Sequence, residues 1–211
     1  MSRFLVVAVL VSLSACKKDP PPPPPVVVPL VTPSEVNVDG ALHAVACGAV
    51  TALWSGNPDA LKDLPQPAPK SFAVESLSFK FADGSSKGFA PRGQVFFNDW
   101  RFSIFSPDCS MVALLTDHFG PYHVVKTAEL RGYLEGRVKP VQVQALGEKD
   151  ALVHADLVWK DASKFEFAAS CCGGAQVFTA STKDGSLERI FDAPVAPKGL
   201  RRVGTKYEVV P

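Results

Sequence analysis

Several absences narrow the chemistry before any motif is considered. The 211 residues contain no Walker-type loop and no Rossmann glycine fingerprint, which removes the usual backbone cradles for nucleotide phosphates. No two cysteines have the Cys-x2-Cys spacing that presents a metal with tetrahedral ligands. No serine stands in a nucleophile motif with convincing partners, and the carboxylates are scattered rather than paired for acid–base work. Catalytic groups can still assemble from distant residues, so the reading leans away from an enzyme without closing that class, and no cofactor is implied. Charge of one sign is also missing. Lys and Arg total 22 against 21 Asp and Glu, for a formal net charge of +1. A chain so balanced has no electrostatic footprint for nucleic acid and no polybasic patch for anionic lipid. The local basic group Lys198, Arg201, Arg202 and Lys206 reads as a solvated face. Methionine is scarce, at two residues, and the longest apolar run is too short to cross about 30 Å of hydrocarbon as a helix.

What is present is the vocabulary of β structure. Fourteen phenylalanines and frequent valines alternate with 15 glycines and 19 prolines, a composition of strands joined by tight turns. Residues 42–54 read as two short strands broken at Cys47-Gly48. Residues 57–70 are a proline-rich loop, with a short turn near Asp59-Ala60-Leu61. In 72–81, Leu77, Phe79 and Phe81 share one face opposite Ser76, Ser78 and Lys80, and Asp83-Gly84 supplies turn chemistry. Residues 93–97 and 100–106 flank Asn98-Asp99 as a hairpin, and 111–116 and 122–126 form the next pair. Thr127 is placed to cap the one expected helix, near 128–135, which Gly136 would end. Strands resume at 138–146, 151–159, 164–170, 175–181 and 187–191, and 203–210 closes the fold. The fold class is all-β and antiparallel, propeller-like or a sandwich or meander, in one domain over 34–211.

The N-terminus carries an address. Arg3 precedes the apolar run 4–13, interrupted only by Ser12, and small residues lead into Cys16. That is the layout of an export signal. Leu13-Ser14-Ala15-Cys16 resembles the lipobox of bacterial lipoproteins. The resemblance implies acylation of the Cys16 thiol, removal of residues 1–15, and a lipid bilayer as the first partner. Arg3 leaves with the signal and no acidic residue does, so the mature chain would be neutral. Lys17 follows the cysteine in place of the aspartate associated with inner-membrane retention, which favours the outer membrane over the inner one. Residues 16–33 then form a tether. The run Pro20 to Pro25 can join neither helix nor sheet and favours polyproline II, a semi-rigid spacer between lipid and domain.

An internal echo bears on architecture. A shift of 53 residues carries Ser106-Pro107-Asp108-Cys109-Ser110 onto Trp159-Lys160-Asp161-Ala162-Ser163, Gly120 onto Gly173 and Val124 onto Val177. Phe105-Ser106-Pro107-Asp108 followed by a strand resembles the blade turn of TolB-like and dipeptidyl-peptidase-type β-propellers, and more broadly of WD40-like blades. Residues 100–127 and 153–181 carry that resemblance, which implies blade-like meanders. Cys109 departs from the pattern, since glycine is usual there.

Four cysteines remain for an oxidising space: Cys47, Cys109, Cys171 and Cys172. They read first as two disulfides. Neighbouring side chains on a strand point to opposite faces, so Cys171 and Cys172 would take different partners, with Cys47 and Cys109 on hand. One bridge with two thiols, or a vicinal Cys171–Cys172 ring, are the alternatives. His118 and His123 bracket a turn and, with Asp117, are weak metal-ligand candidates, although no metal is expected. Phe97, Asn98, Asp99 and Trp100 are a weak candidate for an exposed binding surface. The leading expectation is a lipid-anchored envelope protein acting through binding, toward a protein, peptide or glycan partner. A hydrolase using His118, His123 and Asp117, and a purely structural lipoprotein, are the competing classes.

Overall fold

The computed structural model describes residues 31–62, 73–91, 103–117, 119–146, 152–171, 174–193, 199–203 and 206–210. The first antiparallel sheet takes β1 (Ser34–Glu35), β2 (His43–Cys47), β3 (Val50–Gly56), β4 (Val74–Phe81) and β5 (Ser86–Phe89) in sequence order. A short 3-10 turn, Pro58–Leu61, follows β3, and the Asn57 side chain accepts from the Asp59 N–H at its start. The second sheet contains β6 (Met111–Leu115), β7 (Tyr122–Lys126) and β8 (Val141–Val143), with Phe105 bridging Val112 on its other edge. The third contains β9 (Val153–Asp161), β10 (Lys164–Cys171), β11 (Gly174–Ser181) and β12 (Leu187–Ala193). A last hairpin pairs β13 (Gly199–Val203) with β14 (Lys206–Val210). All pairings are antiparallel, and the all-β class read from the sequence is the one observed.

Between β7 and β8 the chain makes a 3-10 turn, Thr127–Glu129, then α1 (Leu130–Leu134), the single α-helix among the described residues, with Gly136 beyond it at φ 74°. Thr127 does not cap this segment. Its hydroxyl is buried and makes no hydrogen bond, because the residue sits inside the first turn and not ahead of it. Two other expectations shift. The strand expected over 138–146 shrinks to three residues, and the closing strand is half of a separate hairpin. The expected hairpin around Asn98-Asp99 lies outside the described residues.

The second sheet is the middle layer. Val112 and Leu114 face one way, into a core with Trp54, Leu77, Phe79, Phe105 and Leu130. Ala113 and Leu115 face the other way, into a core with Tyr122, Leu157, Phe165 and Phe167. Every residue of β6 after Met111 is therefore buried, which is why Met-Val-Ala-Leu-Leu shows no alternation. Edge-to-face aromatic pairs cross both interfaces. Phe79 meets Phe105 at 6.5 Å between centroids, and Tyr122 meets Phe165 at 5.6 Å and Phe167 at 5.4 Å. Such pairs contribute about 0.5–1.5 kcal/mol each beyond the burial of their area.

One turn recurs at corresponding places in the sheets. In Asp83-Gly84-Ser85, Asp108-Cys109-Ser110, Asp161-Ala162-Ser163 and Asp184-Gly185-Ser186, the aspartate Oδ1 accepts from both the N–H and the hydroxyl of the serine two residues on. The 53-residue echo is thus a repeat of an Asp-x-Ser turn followed by a strand. The Ser186 hydroxyl, helped by other donors, holds the Asp184 carboxyl down to about 2.

Cys47, at the end of β2, is bonded to Cys109, in the Asp-x-Ser turn before β6, with Cα atoms 5.3 Å apart. The pairing suggested by strand alternation, each of Cys47 and Cys109 with one of the vicinal cysteines, is therefore not the one formed. The reason lies in the layering: the turn after β2 and the turn before β6 lie at the same end of two sheets packed face to face. Cys171 is the last residue of β10, opposite Gly174. Cys172 lies outside the described residues.

Candidate functional site

The turns at 47–50, 81–86 and 106–111 gather at the disulfide end of the first two sheets. It follows that the end of β5, the loop between β6 and β7, and the first residues of β7 meet at the opposite end. A cleft of about 510 Å³ opens there. Phe89 and Pro91 come from the end of β5, Asp117 and Pro121 from the loop, His123 from β7, Tyr133 from α1, and Gln142 and Gln144 from β8 and just beyond it. A hollow of about 650 Å³ along residues 35–44 is larger, but its described lining comes from one segment of chain, so no described groups converge on it from separate elements.

The register explains why these side chains face one another. On β7, Tyr122 and Val124 point to the third sheet, so His123 and Val125 point to the first. Across the ladder His123 is opposite Leu114 on one side and Gln142 on the other. The His123 Nδ1 lies 2.7 Å from the Tyr133 hydroxyl oxygen, with the two rings edge to face at 5.6 Å. Burial holds the pKa of the His123 ring below its ordinary value and pushes that of the Tyr133 phenol up to about 12. Both are neutral at pH 7, and the bond between them is one of neutral partners. The His123 Nε2 and the Gln142 amide make no hydrogen bond among the described residues.

The loop wall is held from within. The Thr116 hydroxyl donates to the Pro121 carbonyl at 2.9 Å, and the Asp117 Oδ1 accepts from the Phe119 N–H at 3.3 Å. Gln144 Nε2 donates to the Phe119 carbonyl at 3.0 Å. On the opposite side, Arg131 of α1 makes a two-pronged contact with Asp83, through bonds of 2.9 and 2.8 Å, and lies 4.4 Å over the Phe81 ring. That pair ties the helix carrying Tyr133 to the first sheet, so both walls are anchored.

The sequence candidates fall as follows. Asp117 and His123 line the same cleft, as the hydrolase reading requires, while His118 lies outside the described residues. The imidazole contacts a phenol, and the Asp117 Oδ1 is engaged in its turn, so the triad order of nucleophile, base and orienting carboxylate is not assembled among the described residues. Among the described residues no group of three or more His, Cys, Asp or Glu is placed to hold a metal ion. Phe97, Asn98, Asp99, Trp100 and Cys16 lie outside the described residues. Sequence reasoning missed the glutamines: Gln142 and Gln144 share one strand face, and only the pairing of β8 with β7 shows that this face is His123's. It also passed over Gly84-Ser85-Ser86-Lys87-Gly88, which has Gly-x-Ser-x-Gly spacing. Ser86 there opens β5 in a hairpin, without the strand-to-helix turn of a nucleophile elbow.

The His123 shift has a consequence for stability. The unfolded ring takes its proton near 6.5 and the folded ring only at lower pH. The stabilising contribution is complete above about 6.5 and is lost as pH falls toward the folded value. Denaturant midpoints measured from pH 8 to pH 5 are expected to fall faster for the wild type than for His123→Gln. Parallel profiles would show that the ring is not held neutral in the fold. No family model matches the chain, and neither the curated proteins nor the solved structures contain a significant match to it.

Proposed function

We propose that this chain is a membrane-anchored envelope lipoprotein whose β domain acts by binding, with the cleft between the first and second sheets as its ligand site. The observation that carries the binding reading is the state of the cleft's polar groups. Among the described residues, His123 Nε2 and the Gln142 amide line the cleft without hydrogen-bond partners, next to a neutral His–Tyr pair and with no nucleophile activated beside them. Such groups recognise a ligand's hydrogen bonds and lack the arrangement that turns it over. The propeller-like reading is supported by three meanders stacked in chain order and by the repeated Asp-x-Ser turn.

The anchor reading rests on Leu13-Ser14-Ala15-Cys16 and the proline run behind it. Six consecutive prolines in polyproline II extend about 19 Å, enough to hold the domain clear of headgroups. Cys16→Ala is expected to abolish incorporation of a labelled fatty acid and to move the protein out of the detergent-soluble membrane fraction. Unchanged fractionation would sink the anchor. Crosslinking in the native cells, comparing this variant with the wild type, then separates a protein partner met only at the membrane from a ligand bound by the domain alone.

A further inference from the structure

The geometry points to an uncharged, hydroxyl-rich ligand for the cleft, in chemical class a neutral saccharide; this rests on the cleft being the binding site proposed above. The argument starts from charge. Among the described residues the lining contains no lysine or arginine, and its one carboxylate is Asp117. His123 adds no positive charge at neutral pH, because burial keeps it unprotonated. An anionic ligand would meet Asp117 with no cation among the described lining residues to offset it. A cationic ligand would find a single carboxylate with one oxygen already engaged by Phe119 N–H.

Hydrogen-bonding capacity narrows the class further. Among the described residues, the Gln142 amide carries a free donor and a free acceptor, Gln144 keeps its carbonyl oxygen, and His123 Nε2 is unengaged. Mixed donors and acceptors of this kind suit hydroxyl groups, which do both. Phe89, Pro91 and Pro121 supply apolar wall for the C–H face of a sugar ring. The volume falls within the roughly 300–1,000 Å³ typical of small-molecule clefts. An extended peptide fits less well. It would gain affinity by adding as a strand at the β8 edge. The Gly185 turn is seated there, so close that a Cβ on Gly185 would lie 2.3 Å from the Gln142 carbonyl oxygen.

The test uses the full-length acylated protein in a detergent without a sugar headgroup. Its probes are neutral oligosaccharides, their sulfated and uronic-acid counterparts, and a peptide array. The expected result is retention of neutral oligosaccharides alone. Gln142→Ala is expected to weaken binding about tenfold through loss of its hydrogen bonds, with the thermal midpoint unchanged because Gln142's side chain is exposed. Tyr133→Phe supplies a second variant that keeps the ring packing. Retention of the charged counterparts, or of peptides alone, with sensitivity to Gln142→Ala would leave the cleft standing and overturn the saccharide class. Neutral saccharides bound equally by wild type and both variants, or no retention of any probe, would overturn the cleft and the class together.

Discussion

Replacing both bridged cysteines, as Cys47→Ala with Cys109→Ala, is expected to lower the unfolding free energy by about 4 kcal/mol. The bridge closes a loop across a sequence separation of 62 residues. Loop-closure entropy for that length gives roughly this value. A second effect makes the prediction sharper. Cys109 has φ 60°, in the left-handed region that costs an L-residue about 1–2 kcal/mol. The bridge holds it there, in the middle position of an Asp-x-Ser turn. Once the bridge is gone, alanine at 109 keeps the conformational cost and glycine does not. Cys47→Ala with Cys109→Gly is therefore expected to be more stable than the double alanine by about 1 kcal/mol. Guanidinium unfolding of the oxidised wild type and the two double variants measures both quantities. Equal midpoints for the two variants would mean that residue 109 relaxes out of the left-handed conformation. A loss below about 1 kcal/mol from wild type would mean that the bridge does not constrain the chain.

This bridge also shows where the sequence was legible and where it stopped. The cysteine at 109 was visible as a departure from the blade-turn resemblance, in which glycine is usual at that place. Its partner was not visible. Strand alternation is a rule about neighbours along the chain, and Cys47 meets Cys109 only because two sheets stack with their turns at one end. The same division runs through the rest of the molecule. Leu77, Phe79 and Phe81 alternate because the first sheet buries one face there, and the strand was read within two residues of its ends. The short edge strand β5 was not read: Ser86-Lys87-Gly88-Phe89 has one buried residue and no pattern to detect. Thr127 looked like a cap because capping residues are named by type, yet the chain turns one residue earlier. The cleft followed the same logic. His123 and Asp117 were legible as residue types near a turn, whereas Tyr133 and Gln142 join them through a helix packed across β7 and a strand paired beside it.

Gly185→Ala is expected to destabilise the domain by about 3–4 kcal/mol and to disable the cleft, whereas Gly84→Ala should cost only about 1–2 kcal/mol. The two glycines occupy the same position in Asp-Gly-Ser turns and both are left-handed, at φ 74° and 82°. The conformational penalty is therefore common to both. Their surroundings differ. A Cβ on Gly84 meets nothing within 4 Å, but a Cβ on Gly185 would lie 2.3 Å from the Gln142 carbonyl oxygen. That neighbour is backbone of β8, held by its pairing with β7, and it cannot swing aside as a flexible side chain would. Either the turn lifts off the second sheet, exposing Val141, or β8 shifts and carries the Gln142 side chain away from His123. The second outcome couples the third sheet to the cleft, although no described residue of that sheet lines it. Denaturant midpoints of the two variants, read beside ligand retention, test this coupling. Equal midpoints would show that the 184–186 turn is not seated on β8. A destabilised Gly185→Ala with full retention would show that the turn lifts while the cleft stays intact.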